Sequence, residues 1–400
     1  MLSSKECMAL ETQYGAKNYK PIPVVISKAK GVWVWDPEGK KYLDCLSAYS
    51  AVNQGHLHPK IIKAVKKQLR QVTLTSRAFH NDRLGKYLKK LCEFTGFEVA
   101  LPMNTGAEAV ETGLKIARRW GYRIKKVPQN KAEIIIANEN FHGRTTTIVG
   151  FSTDEGSRED FGPFTPGFVH IPYNDTTALE KAINDNTIAF MVEPIQGEAG
   201  VIIPDEGYLK KVSDICKKHN VLLILDEIQT GFGRTGRMFC FQHENVMPDI
   251  LLVGKALSGG ILPVSAAITR HDIMDVITPG SHGSTFGGNP LGCAAAEAAL
   301  DVLIDEKLDE RSRDLGLYFL EGIQKIASPL FKEVRGKGLL IAIELTKEAG
   351  GARQYTERLK TQGILAKETH YNIIRFAPPL VIKQKEIDWA LGILNDVFTQ

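Results

Sequence analysis

Short apolar runs closed by turn residues recur through the middle of the chain, at Glu133–Ala137, Val169–Pro172, Ile188–Val192, Val221–Leu225 and Ile250–Val253. They are continuous where a strand with one wet face would alternate, the pattern of parallel strands covered on both faces. Helical patterns lie between several of them, which predicts a mostly parallel sheet with helices on either side. Upstream, Pro59 suits a first helical position, and Ile61, Ile62, Val65 and Leu69 recur at helical spacing. A second helix opens at NTGAEA (104–109), with Ala109, Leu114, Ile116 and Ala117 among its apolar positions. Residues 14–58 alternate β-like runs at Pro23–Ile26 and Gly31–Trp35 with turns, predicting a small β-meander. After the glycine-rich stretch SHGSTFGGNP (281–290) comes a long alanine-rich helix that leads into a second domain. Strands are expected there at Gly338–Leu345 and Ile373–Ala377, and helices from Arg353 and Lys385.

In open sheets of this kind, ligands bind beyond the carboxyl ends of the strands. The run Val221–Leu225 ends on Asp226 and Glu227, and Ile250–Val253 ends on Gly254 and Lys255, followed by ALSGG. A carboxylate and an amine at neighbouring strand ends can do imine chemistry on a heterocyclic aldehyde. A lysine after a strand is ordinarily a surface residue, but Gly254 and the Ser-Gly-Gly after Leu257 let backbone approach a ligand closely. NFHGR puts Phe141 and Arg144 at another strand end, and EPIQGE puts Glu193 and Glu198 at a third. Charged or aromatic residues at four such ends make a site. The turn at Thr105 offers unpaired N–H groups and a positive dipole end, which serve either a phosphate or ordinary capping by Thr105. Arg375 interrupts an apolar strand, so it pairs with a buried carboxylate or binds one from a ligand. Tyr19 and Tyr49 lie in loops, where a tyrosine either packs or touches a ligand.

Of two nucleotide-binding readings, one fails and the other is weak. A strand ending in Asp-Glu also occurs in ATPases, but these need G-x-x-x-x-G-K-[ST]. The Gly-Lys pairs ending at Lys40, Lys86, Lys255 and Lys337 are followed by neither Ser nor Thr. Gly231 to Gly236 spells G-x-G-x-x-G but lacks the strand-to-helix turn of a dinucleotide fold, leaving a glycine-rich loop. At 400 residues the chain should split into two domains. The net charge of +4 is spread thinly, which points to neither nucleic acid nor a membrane surface. No apolar stretch reaches the ~18 residues of a membrane span. The N-terminus has acidic residues and no apolar segment of a secretory signal. Six cysteines form no C-x-x-C pair and several lie in apolar segments, which fits reduced thiols in a cytoplasmic enzyme. His56 and His58 read as a turn ahead of Pro59, and no metal is expected.

The segments YGAKNYKPIPVV, SAYSAVNQGHLHPKI, MNTGAEAVE, NFHGRT, VEPIQGEAGV, DEIQTGFGRTG, GKALSGG, HGSTFGGNP and RFAPPLV together resemble the class III, fold type I, pyridoxal-phosphate aminotransferases over nearly the whole chain. The resemblance implies an α/β fold: a large domain with a mostly parallel, seven-stranded-type sheet, and a smaller α+β domain built from both chain ends. Residues 1–48 would belong to the small domain, 49–290 to the large cofactor-binding domain and 291–400 to the C-terminal small domain. It also implies pyridoxal 5′-phosphate as cofactor. Lys255 would hold it covalently, Asp226 would pair with the pyridine nitrogen, Gln229 would bond the ring hydroxyl and Phe141 would stack on the ring. Thr105, Gly106 and Ala107 would hold the phosphate with Ser284 and Thr285. The loop carrying Thr285 would reach across from a partner subunit, so a homodimer with its active site at the interface is implied.

The segments that carry Tyr19 and Tyr49 resemble most those of family members that act on ornithine. Arg144 and Arg375 would bind substrate carboxylates, and Glu198 would pair with Arg375 while ornithine is bound and release it for glutamate or 2-oxoglutarate. Tyr19 and Tyr49 would contact ornithine near its α-amino group. The implied reaction moves the δ-amino group of L-ornithine to 2-oxoglutarate, giving glutamate and glutamate 5-semialdehyde, which cyclises to pyrroline-5-carboxylate. The rival amino donors are acetylornithine and 4-aminobutyrate. An idle homologue that binds or regulates is the alternative of another class, and a nicotinamide oxidoreductase rests only on the glycines at 231–236. His142 receives no role.

Overall fold

A computed structural model describes residues 2–399 of the chain. Its centre is a seven-stranded sheet in the spatial order Val99–Met103, Ser265–Thr269, Ile250–Val253, Leu222–Asp226, Thr187–Val192, Glu133–Ala137, Phe168–Ile171. The last five strands run parallel, while Ser265–Thr269 runs antiparallel to both of its neighbours. Leu222–Asp226 and Ile250–Val253 are buried along their whole length, as strands covered on both faces must be. The fold class expected from the sequence is therefore present.

Two of the seven strands carry no signal of the expected kind. Val99–Met103 contains Pro102, which has no N–H to give a ladder. It survives because this is an edge strand, paired on one side only. Ser265–Thr269 is built mostly from small residues.

The helix Gly106–Arg123 lies close against the sheet, and two glycines set the distance. A Cβ at Gly113 would stand 2.8 Å from a Leu252 methyl, and one at Gly121 would stand 2.3 Å from Ile188 Cγ2. The close approach fixes where the helix's N-terminal turn points, which matters for the site.

Two smaller sheets flank this body. Lys28–Lys30, Trp33–Trp35 and Lys41–Asp44 form an antiparallel meander that Ile364–Leu365 extends in parallel, so the two ends of the chain meet in one sheet. Phe331–Lys337, Leu340–Leu345, Ile373–Phe376 and Lys367–Thr369 form an antiparallel sheet. The expected strand at Pro23–Ile26 is absent, and the first strand begins at Lys28. Pro21 and Pro23 cannot donate to a ladder, and the local bond there is a turn, Val24 N–H to the Ile22 carbonyl at 2.7 Å. Among the described residues no helix is long and apolar enough to cross a membrane. His56 and His58 face Asp44 and Glu306 at 2.7 and 3.0 Å.

Candidate active site

Asp226 closes its strand at the carboxyl edge, and Lys255 follows the neighbouring parallel strand, so the sheet brings both to one crevice. Between them lies a cavity of about 210 Å³ whose walls include Gly106, Ala107, Phe141, Gln229, Asp226 and Lys255. Lys255 is held at φ +44°, in the left-handed region, an outlier of the sort that persists where surrounding structure fixes a functional side chain. Burial pushes its amine pKa down, against the pull of Glu198 and Asp226. A lysine poised toward its neutral form is a nucleophile.

Asp226 is fixed from two sides. Its Oδ1 accepts the Ile228 N–H at 3.0 Å, and its Oδ2 meets His142 Nδ1 at 2.7 Å. Burial alone would push the His142 pKa down, but the hydrogen bond and charge of Asp226, with Glu193 beyond, outweigh it and raise it. Glu193 also borders the cavity, and burial pushes its pKa up to about 7, with Asp226 adding to the rise and His142 opposing it.

Thr105 caps the helix Gly106–Arg123: its hydroxyl accepts the Glu108 N–H while Glu108 accepts the Thr105 N–H, a reciprocal capping box. Capping and anion binding are thus compatible here. The box occupies Thr105, and the first-turn N–H groups of Gly106 and Ala107, outside the intrahelical ladder, border the cavity. A Cβ at Gly106 would lie 3.2 Å from Ile228 side-chain carbons, a tight fit that a glycine relieves.

A wider cavity of about 510 Å³ adjoins the first and shares Phe141, His142, Gly143 and Glu198 with it. Arg144 borders it, its guanidinium 5.6 Å from the Phe141 ring centre. Arg375 is buried, and one nitrogen donates to both Glu198 Oε1 at 2.8 Å and the Gly197 carbonyl at 3.0 Å. Burial raises the Glu198 pKa, but the charges of Arg375 and Lys255 outweigh it and hold the carboxyl low. The Arg375 guanidinium sits 5.3 Å from the Tyr49 ring centre. Tyr49 belongs to a turn, Ser47 to Ser50, in which four successive non-glycine residues have φ between +46° and +73°. Left-handed runs of this kind are costly in L-residues, and this one carries Tyr49 to Arg375.

Tyr19 is 79% exposed and borders neither cavity. Ser284 accepts the Asn104 side-chain N–H at 3.0 Å, and Thr285 is exposed; neither borders the cavity of its own chain. Five residues that border the cavity have no specific role assigned from sequence: His142, Gly143, Glu193, Ile228 and Thr230. His142 and Glu193 were visible as polar residues beside assigned ones. The crossing of loops that brings them to Asp226 and Phe141 leaves no mark in local sequence.

A lysine and a fixed carboxylate at adjacent strand ends, beside a helix N-terminus, suit pyridoxal phosphate. The chain belongs to the class-III aminotransferases, whose family profile matches residues 14–398. It is similar to the ornithine aminotransferase of Brevibacillus brevis, with 61% identity over 385 residues covering 96% of each chain. Among solved structures it is similar to the ornithine aminotransferase of Toxoplasma gondii, with a TM-score of 0.98 and 48% identity over 100% of this chain and 96% of that one. It also resembles the acetylornithine aminotransferase of Elizabethkingia anophelis, with a TM-score of 0.91 and 50% identity over 100% of both chains.

Class-III aminotransferases work through pyridoxal 5′-phosphate, and the residues present fit it. A helix N-terminal turn, an anchored carboxylate, an aromatic ring and an amine of depressed pKa converge on one cavity. The chain is an enzyme of the aminotransferase class.

Proposed function

We propose that this enzyme transfers the δ-amino group of L-ornithine to 2-oxoglutarate, giving glutamate and glutamate 5-semialdehyde, which closes to pyrroline-5-carboxylate. The observation that carries the substrate assignment is the pair formed by buried Arg375 with the partly exposed Glu198 at 2.8 Å, beside Tyr49. A lone buried arginine would select a second carboxylate. With Glu198 against it, the site tolerates a substrate whose far end is a zwitterionic amino acid, and Arg375 becomes free for a dicarboxylate when Glu198 swings away.

Bound in the cavity, pyridoxal 5′-phosphate supplies an electrophilic carbon for the amine and a ring that draws electron density from the substrate carbon. Lys255 would hold it covalently, and the Lys255 Nζ would take the proton from the substrate carbon that carries the transferred nitrogen. Asp226, fixed by His142, would keep a proton on the ring nitrogen. Gln229 would bond the ring hydroxyl, and Phe141 would cover one ring face. The N–H groups of Gly106 and Ala107, with Thr105, would bind the phosphate. Arg144 and Arg375 grip carboxylates with their planar forks, and Tyr19 and Tyr49 flank the α-amino end of ornithine.

The exposure of Thr285, away from its own cavity, supports a homodimer in which it serves the partner's phosphate with Ser284 beside it. Six free cysteines support a reducing, cytoplasmic setting. The likeness to an acetylornithine aminotransferase supports one second reading, with N-acetylornithine as donor. Glutamate formation from 2-oxoglutarate with L-ornithine, N-acetylornithine or 4-aminobutyrate tests the choice. Ornithine should give the highest kcat/KM together with a trappable cyclic imine, and faster turnover of either rival would overturn the assignment.

A further inference from the structure

Glu193 is a buried carboxylate with no cation in ion-pair contact among the described residues. Such a group is costly unless its lone pairs are used. Both of its oxygens are used by backbone: Oε1 accepts the Phe141 N–H at 2.9 Å, and Oε2 accepts the Gly197 N–H at 3.2 Å. The two donors lie on loops that leave different strands, Glu133–Ala137 and Thr187–Val192. The second loop is the one that meets Arg375, through the Gly197 carbonyl and the Glu198 side chain on a single arginine nitrogen. Gly197 is hemmed in from the other side as well, since a Cβ there would fall 1.5 Å from Gln229 Oε1. The peptide that presents Glu198 therefore rests between Gln229 and the Glu193 carboxylate.

We propose that Glu193 is a positioning residue for substrate discrimination: its two oxygens fasten the backbone of Phe141 to that of Gly197 and so hold Glu198 against Arg375. The inference rests on the reading of Arg375–Glu198 as the selective pair. Two acceptors facing two donors is what the arrangement demands, and an amide cannot meet it. In Glu193→Gln the oxygen serves one N–H and the NH₂ group confronts the other. Glu198 then loses its fixed place, and Arg375 is more readily taken by a free carboxylate. Dicarboxylates and ω-amino carboxylates gain relative to ornithine.

The test uses the holoenzyme and glutarate, an unreactive dicarboxylate, titrated by calorimetry into the wild type, Glu193→Gln and Glu193→Asp. Losing one hydrogen bond to a charged group should make glutarate bind about tenfold tighter in both variants. The kcat/KM preference for ornithine over 4-aminobutyrate should fall by about the same factor, chiefly through KM for ornithine. Glu193→Asp keeps the charge but is one methylene too short to span both donors, so it separates positioning from electrostatics. Unchanged glutarate affinity in Glu193→Asp, or equal losses for the two donors, would overturn the proposal. So would a pH titration of the cofactor absorbance that shifts in Glu193→Gln while discrimination stays intact, since Glu193 would then act through the charge of Asp226. Failure of the wild type to use ornithine would instead overturn the substrate assignment.

Discussion

His142 Nδ1 stands 2.7 Å from Asp226 Oδ2, and both side chains are shielded from solvent. The imidazole sets the direction of the Asp226 carboxylate, and the contact raises the His142 pKa against its burial. Replacing it by leucine leaves Asp226 with the Ile228 N–H alone. His142→Leu should lower kcat by about 10–100-fold, as the loss of a charge-assisted buried hydrogen bond does. Cofactor should also dissociate faster, read from the loss of visible absorbance on dilution. His142→Asn, which can present an amide N–H in a similar place, should recover part of both.

Arg375 is where charge alone should not suffice. One nitrogen of this buried arginine serves two acceptors, the Gly197 carbonyl and Glu198. Arg375→Lys keeps the cation and loses the fork. It should weaken use of 2-oxoglutarate by at least about 30-fold in kcat/KM, the low end for breaking a buried charged contact. A half-reaction measured with ornithine alone should suffer less.

The sheet and the two reactive side chains were legible because each rests on a local pattern. Val221–Leu225 is an unbroken apolar run with Asp226 at its end, and Ile250–Val253 repeats the form with Lys255 after Gly254. Arg375 was legible as a charge inside an apolar strand. The edge strand with Pro102 was not, because its survival depends on having a neighbour on one side only. Nor was the left-handed turn at Ser47 to Ser50, which contains neither Gly nor Asn. The parts played by His142 and Glu193 depend on which loops cross in space, and no spacing in the chain records that.

Glu227 gives a pH signature separate from catalysis. Burial pushes its pKa up to about 7, against hydrogen bonds from Cys240, Thr230 and Phe241. In the unfolded chain a glutamate titrates near ~4.3. Between those values the native state keeps a proton that the unfolded chain has released. The stability this group contributes is therefore full below the unfolded pKa and is lost as pH rises through the folded one. Thermal unfolding of the wild type should fall more steeply from about pH 5 to about pH 7.5 than that of Glu227→Gln. Parallel slopes would contradict the assignment, whatever the absolute stability of the variant.

Gly316, in the helix Leu308–Gln324, faces backbone: a Cβ there would lie 2.2 Å from the carbonyl carbon and oxygen of Gly338. Backbone yields less readily than a side chain. Gly316→Ala should cost about 2–3 kcal/mol, measured as the shift in urea midpoint at unchanged slope.

Lys255 is the residue on which the chemistry rests. Borohydride reduction of the wild-type holoenzyme, followed by proteolysis and mass spectrometry, should place the cofactor's mass on the peptide that contains Lys255. Lys255→Ala should retain its fold, fail to fix the cofactor on reduction, and show no turnover of ornithine with 2-oxoglutarate. Near-normal turnover in Lys255→Ala, or the cofactor's mass on another lysine, would contradict the account.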